Sequence, residues 1–143
     1  MKKSISIITA FLLILNLLVV FATGNEVRVT LDGTYVQFDT PPKIVNNRVM
    51  VPVRTIFEAL GTEVFWDEDT QTIIAHIIND EIIVRLTIGS YIMFVDGFGF
   101  EIDVPPIIIN DRALVPVRIV SGLLGTNVEW DEEASTVLMR TSF

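Results

Sequence analysis

The sequence contains no cysteine. That excludes disulfide staples and any cysteine-ligated zinc or iron–sulfur centre, so the chain must hold together by its core alone. Half of its residues are apolar, which makes such a core feasible. There is one histidine, His76, and one imidazole cannot furnish a multi-histidine metal site. A Ser-His-Asp hydrolase would need that same histidine beside a positioned nucleophile, and no serine motif accompanies it. His76 lies among Ile73, Ile74, Ile77 and Ile78, the setting of a structural residue. Positive charge is scarce as well: 10 Lys and Arg face 18 Asp and Glu, with no basic stripe. Nucleic acid and anionic membrane surfaces are therefore repelled. No catalytic residue, no metal site and no cofactor is expected.

What the sequence does have begins at its start. Lys2 and Lys3 precede an almost unbroken apolar run from Ile5 to Phe21, and small residues follow at Ala22, Thr23 and Gly24. This is the order of a secretory signal peptide, with cleavage after Ala22 or Gly24. At ~1.5 Å per residue the run reaches about 26 Å as a helix, short of a ~30 Å hydrocarbon core. A membrane role arises only if the segment stays uncleaved as an anchor. Loss of residues 1–24 removes two lysines and no acid, leaving 8 basic against 18 acidic residues, or −10. The expected location is secreted, or associated with the cell surface or cell wall.

The main signal is internal. Offset by 64 residues, the chain matches itself without a gap, and 20 of the 41 positions from Asp32 to Thr72 are identical to their counterparts. Asp32-Gly33 falls on Asp96-Gly97, Pro41-Pro42 on Pro105-Pro106, and Val51 to Arg54 on Val115 to Arg118. Leu60 to Thr62 falls on Leu124 to Thr126, and Trp66 to Glu68 on Trp130 to Glu132. The domain reading is a signal peptide at 1–24, a first repeat at 25–80 and a second at 81–143. Within the first, Val27, Val29 and Leu31 alternate with polar residues, as do Val36 and Phe38, the period of half-buried strands. Asp32-Gly33 predicts a type I′ hairpin turn, and Asn46-Asn47 another tight turn between Lys43–Val45 and Arg48–Met50. Val53, Ile56, Phe57 and Leu60 then follow helical spacing, with Pro52 at the first turn and Gly61 at the end. Val64 and Trp66 share an inward strand face, Asp67–Thr70 turns the chain, and Ile73–Ile78 runs back. The second copy repeats this plan, and Glu81–Ile88 supplies one more strand between the copies. The expected fold class is α+β: two tandem repeats of short antiparallel strands packed on one short helix each.

Asp-Gly, Phe-Asp-x-Pro-Pro, Asn-x-Arg-x-x-Val-Pro-Val-Arg, Glu-Ala-Leu-Gly and Val-x-Trp-Asp follow one another at Asp32-Gly33, Phe38–Pro42, Asn46–Arg54, Glu58–Gly61 and Val64–Asp67. In this order they resemble the copper amine oxidase N-terminal (stalk) domain family, over nearly all of the chain after residue 24 and twice. The resemblance implies a non-catalytic accessory module of α+β fold, found on bacterial surface and secreted proteins. In the second copy Ser121-Gly122-Leu123 replaces the Glu-Ala stretch, so nothing attached to Glu58 transfers there.

Four arginines, Arg48, Arg54, Arg112 and Arg118, recur at the 64-residue offset. They suit either an anion or sugar site, or loops pinned through carboxylates such as Asp39, Asp67 and their equivalents Asp103 and Asp131. Trp66 and Trp130 suit either a sugar-stacking platform or an inward core position. The acids at Asp67–Asp69 and Asp131–Glu133 lack the alternating ligands and glycine of a calcium loop and read as solvated turns. The copies also differ in one direction. Arg28 becomes Ile92, Thr30 becomes Phe94, Lys43 becomes Ile107, Thr55 becomes Ile119 and Glu58 becomes Gly122. Ile92, Phe94, Ile107, Ile119 and Gly122 are therefore the candidate interface, a face covered either by the first copy or by a partner subunit. The expected function is a non-catalytic, exported binding or structural module whose partner is another protein or itself. A carbohydrate or cell-wall glycan ligand is the alternative.

Overall fold

The computed structural model describes residues 26–142, so the expected signal segment lies outside the described residues. The elements are β1 (Arg28–Leu31), β2 (Thr34–Tyr35), β3 (Lys43–Val45), β4 (Arg48–Pro52), helix α1 (Val53–Ala59), β5 (Glu63–Asp67), β6 (Thr72–Ile77) and β7 (Ile82–Thr87). There follow β8 (Ile92–Val95), β9 (Phe98–Glu101), β10 (Ile107–Ile109), β11 (Arg112–Pro116), helix α2 (Val117–Leu124), β12 (Asn127–Asp131) and β13 (Thr136–Arg140). Among the described residues, two helices and many antiparallel strands in three sheets make the fold α+β.

Local chemistry sets the turns and helices. Asp32-Gly33 and Asp96-Gly97 have φ of 49° and 85°, and Asn46-Asn47 and Asn110-Asp111 have φ between 48° and 60°. Positive φ at both central residues is the type I′ geometry whose twist matches paired strands. Pro52 and Pro116 stand one place earlier than expected, as N-caps with φ −57°. A proline has no N–H to leave unpaired there. Helix α2 ends on Gly125 in the left-handed region.

The sheets do not follow the chain's halves. One has the order β12-β13-β1-β2, with β1 parallel to β13. A second has the order β10-β11-β4-β3, in which Val51 pairs directly with Val115, the residue 64 places on. The third runs β5-β6-β7-β8-β9. Every sheet thus mixes strands from before and after residue 80. The core does the same: Val29, Val51, Ile56, Phe57 and Ile73 join Val84, Leu86, Val115, Val120 and Val137 in one buried cluster.

Strand β7 breaks the balance between the two ends. β1 lies directly beside β13, whereas β8 is separated from β6 by β7. The β8–β9 hairpin is therefore pushed outward by one strand spacing, about 4.8 Å. Val29 is buried, while Met93 at the matching position is only half-buried.

Three local expectations change. Val36 and Phe38 lie beyond the two-residue β2 and turn their side chains half into the core. Thr30 is buried, because its strand neighbours Leu138 and Tyr35 flank it on both sides. The tryptophans are not core residues of the same kind. Trp66 is half-buried against the core, but Trp130 is 42% exposed. Both sit on edge strands, β5 and β12, so a neighbouring strand covers them on one side only.

Candidate functional site

Two clefts of matching composition lie at the ends of the helices. The first, about 860 Å³, is lined by Arg54 from the start of α1, Trp66 and Glu68 at the end of β5, Asp39, and Arg112 from the β10–β11 hairpin. The second, about 610 Å³, is lined by Arg118 from the start of α2, Trp130, Glu132, and Arg48 from the β3–β4 hairpin. Each cleft takes its tryptophan and helix from one half of the chain and its hairpin arginine from the other.

The arginines resolve into distinct roles. Arg112 donates from Nε (2.8 Å) and Nη2 (2.5 Å) to Asp39 Oδ2. Arg48 makes the reciprocal tie, Nε at 2.9 Å and Nη2 at 2.8 Å from Asp103 Oδ2. Each hairpin thus grips the carboxylate that precedes Pro-Pro in the other half. Arg118 adds a longer contact to Asp103 at 3.5 Å. Arg54 donates to the carbonyl of Val64 at 3.1 Å and lies 3.4 Å from Glu58. The expected pairing holds for Asp39 and Asp103 but not for Asp67 and Asp131. Asp67 Oδ1 accepts from the backbone N–H of Asp69 (3.0 Å) and Thr70 (3.4 Å), and Asp131 Oδ1 from that of Ala134 (3.1 Å). These two acids close their own turns, because a short side chain reaches the next backbone amides before any guanidinium. In the first cleft the Trp66 ring is fixed by its Nε1–H, which donates to Glu68 Oε2 at 2.8 Å.

The ties leave an electrostatic signature. The Arg112 hydrogen bond holds the Asp39 carboxyl below its ordinary 3.8, and the Arg48 hydrogen bond does the same for Asp103. Arg112 is raised in turn by Asp39. A lowered folded-state value means that, on acidification, the unfolded chain takes up these protons first. Stability from the two ties is present above about pH 4 and is lost as pH falls through the folded values. Urea denaturation between pH 5 and 2 should therefore fall more steeply for the wild type than for Asp39→Asn with Asp103→Asn. Equal slopes would show that the ties contribute nothing to folding.

The candidate interface divides. Ile119 is buried on the inner side of α2, and Ile107 is half-buried against Met50, Val104 and Leu114, so both belong to the core. Gly122 is exposed, and an added Cβ would meet nothing within 4 Å, which rules out close backbone approach as its reason. Ile92 (45%) and Phe94 (42%) are open, so the first copy does not cover them. Their surroundings are more apolar than the five residues indicated. Phe98 is 73% and Phe100 50% exposed on the displaced β9. On the sheet face opposite Ile92 and Phe94 a groove of about 580 Å³ runs between β8–β9 and α2, lined by Met93, Phe100, Ile102, Ile119 and Gly122. The signal for Phe98 and Phe100 was in the sequence: at the 64-residue offset they replace Thr34 and Val36.

A model of the copper amine oxidase N-terminal domain family matches residues 30–139, most of the chain. The chain belongs to that family. The match to this N-terminal domain is single and takes in both sequence copies, where two family domains were expected. No curated protein matches the chain. The copper amine oxidase N-terminal domain is a non-catalytic module, and the catalytic domain of those oxidases is a separate one. In this member His76 lies on β6 opposite Glu63 of β5, Nδ1 3.8 Å from Oε2. Among the described residues no three His, Cys, Asp or Glu side chains gather to hold a metal ion, and no helix is long and apolar enough to cross a membrane.

Proposed function

We propose that this chain is an exported, non-catalytic binding module, stalk-like in character, acting at or outside the cell surface on a protein partner. It is read as two tandem copies of one unit folded through each other. The observation that supports this reading is the apolar apron formed by the β8–β9 hairpin on a strongly acidic chain: Ile92 and Phe94 on one face and Phe98 and Phe100 on the other, all at least 42% exposed. Large apolar side chains left exposed on both faces of one hairpin are a mark of an interaction site. Export puts the mature N-terminus at Thr23 or Asn25, which mass spectrometry of the secreted protein reads directly. The variant Phe94→Thr with Ile92→Arg restores first-copy chemistry. It should keep the melting temperature and lose retention on isolated cell-surface protein. Unchanged retention would remove the Ile92–Phe94 face from the site.

A second reading, a carbohydrate or cell-wall ligand module, draws on the paired clefts. Each offers a tryptophan beside arginines and carboxylates, the groups that stack on and hydrogen-bond to sugars. The chain's two tryptophans both line these clefts. Titration with soluble cell-wall glycan fragments should then shift tryptophan fluorescence, and a flat titration would leave the protein-binding reading alone.

A further inference from the structure

We propose that β9 is a self-pairing edge: two copies of this chain join antiparallel through β9, about a twofold axis at Gly99, into one continuous sheet. This rests on the reading of the chain as a binding module and names its partner as a second copy.

The argument starts from the backbone. β9 is the last strand of its sheet, and among the described residues nothing pairs with its outer side. All four of its residues are exposed. Ile102 N–H donates to Tyr91 O at 2.8 Å, and hydrogen-bonded pairs alternate along an antiparallel ladder. The backbone groups of Phe98 and Phe100 therefore point back to β8, and those of Gly99 and Glu101 point to the open edge. An unprotected, apolar edge strand is a template for another strand.

The side chains select the register. With Gly99 on the axis, Gly99 of the two copies form a hydrogen-bonded pair. Phe98 then faces Phe100 of the second copy, and Phe100 faces its Phe98. These are non-hydrogen-bonded pairs, in which side chains approach most closely and aromatic pairing is favourable. On the other sheet face an added Cβ at Gly99 would lie 3.3 Å from Ile92 Cγ2 and 3.5 Å from Phe94 Cε1. The Phe94 ring thus already lies across the glycine, and two such rings would flank the glycine pair. Glu101 comes opposite Gly97, so no like charges are set against each other.

The area sets the strength. At roughly 200 Å² per ring, the exposed parts of Phe98 and Phe100 offer about 250 Å² per chain, while Ile92 on β8 stays open and Phe94 is covered only at the edge that lies across Gly99. With the strand backbone the contact stays below about 1,000 Å², the size of a weak, transient interface. The expected product is a reversible dimer.

The test uses residues 25–143, which carry every described element, in sedimentation equilibrium over a range of concentrations. The wild type should dimerise. Phe98→Lys, at a position already 73% exposed, should keep its melting temperature and raise the dimer Kd at least about tenfold. Because the chain has no cysteine, register is read by oxidation. Phe98→Cys chains mixed with Phe100→Cys chains should cross-link, and either variant alone should not. A wild type that stays monomeric, a dimer that survives Phe98→Lys, or cross-linking of either variant by itself would each overturn the proposal. A monomer whose Phe98→Lys form loses retention on cell-surface protein would overturn self-pairing alone. A monomer with retention unchanged would overturn the binding reading of the apron as well.

Discussion

Residues 25–80 and 81–143, produced as separate chains, are each expected to be unfolded and to regain structure on mixing. Neither piece holds a complete sheet. The first keeps β5 and β6 but loses β7, β8 and β9, and it keeps β1 and β2 but loses β12 and β13. What remains to the first is two-stranded hairpins and one short helix, and an isolated hairpin is marginal in water. The second keeps the three-stranded β7–β8–β9 but loses Ile73 and Ala75, which flank the buried Leu86 and Val84 of β7. The missing contacts are also the buried ones. Val51 pairs with Val115 across the cut, and Val29 lies against Val137. Far-ultraviolet circular dichroism of each piece, then of an equimolar mixture, reads the result. A folded 25–80 fragment would show that one copy is a domain in its own right.

The second large effect is expected at Phe57→Ala. Phe57 is fully buried on α1 among the core residues of both halves. Truncating such a ring costs about 3–5 kcal/mol through lost burial and the cavity left behind. That is a large part of the 5–15 kcal/mol available to a domain, and it corresponds to a fall of roughly 10 °C or more in Tm. The matching position on α2 is Ser121, whose hydroxyl instead donates to the carbonyl of Thr126 at 2.6 Å. Of the two helices, α1 therefore supplies the buried aromatic side chain. Phe98→Ala is the control: its ring is 73% exposed, so a comparable loss of stability there would contradict the described packing.

The parts of this structure that were legible in the sequence are those that short segments decide. Asp32-Gly33 and Asn46-Asn47 take positive φ wherever they stand, and Val53, Ile56 and Phe57 fall on one face of any helix that forms. Pairing over long distances leaves no such mark. Nothing in Arg28–Leu31 announces a parallel partner at Thr136–Met139, more than a hundred residues away. Trp130 shows the same limit, since the pattern gives its strand face but not that β12 is an edge. At the clefts, the chemistry of Arg48 and Arg112 called for carboxylates, and Asp39 and Asp103 were among those named. That each tie crosses to the other half follows only from the interleaving. Phe94 stands out because its first-copy counterpart is polar, but how exposed it is depends on its strand neighbours, Arg85 and Gly99, which only the pairing reveals.

The parallel pairing of β1 with β13 also has a mechanical meaning. Arg28 lies level with Thr136, and Leu31 with Met139, so residue 26 emerges at one end of this ladder and residue 142 at the other. The far end is fastened where Thr141 donates from its backbone N–H (2.9 Å) and its hydroxyl (2.8 Å) to the Asp32 carboxylate. Tension applied between the two ends runs along these strands rather than across them. The rungs of the ladder then resist sliding together, sharing the force, instead of opening one after another as in a peeled hairpin.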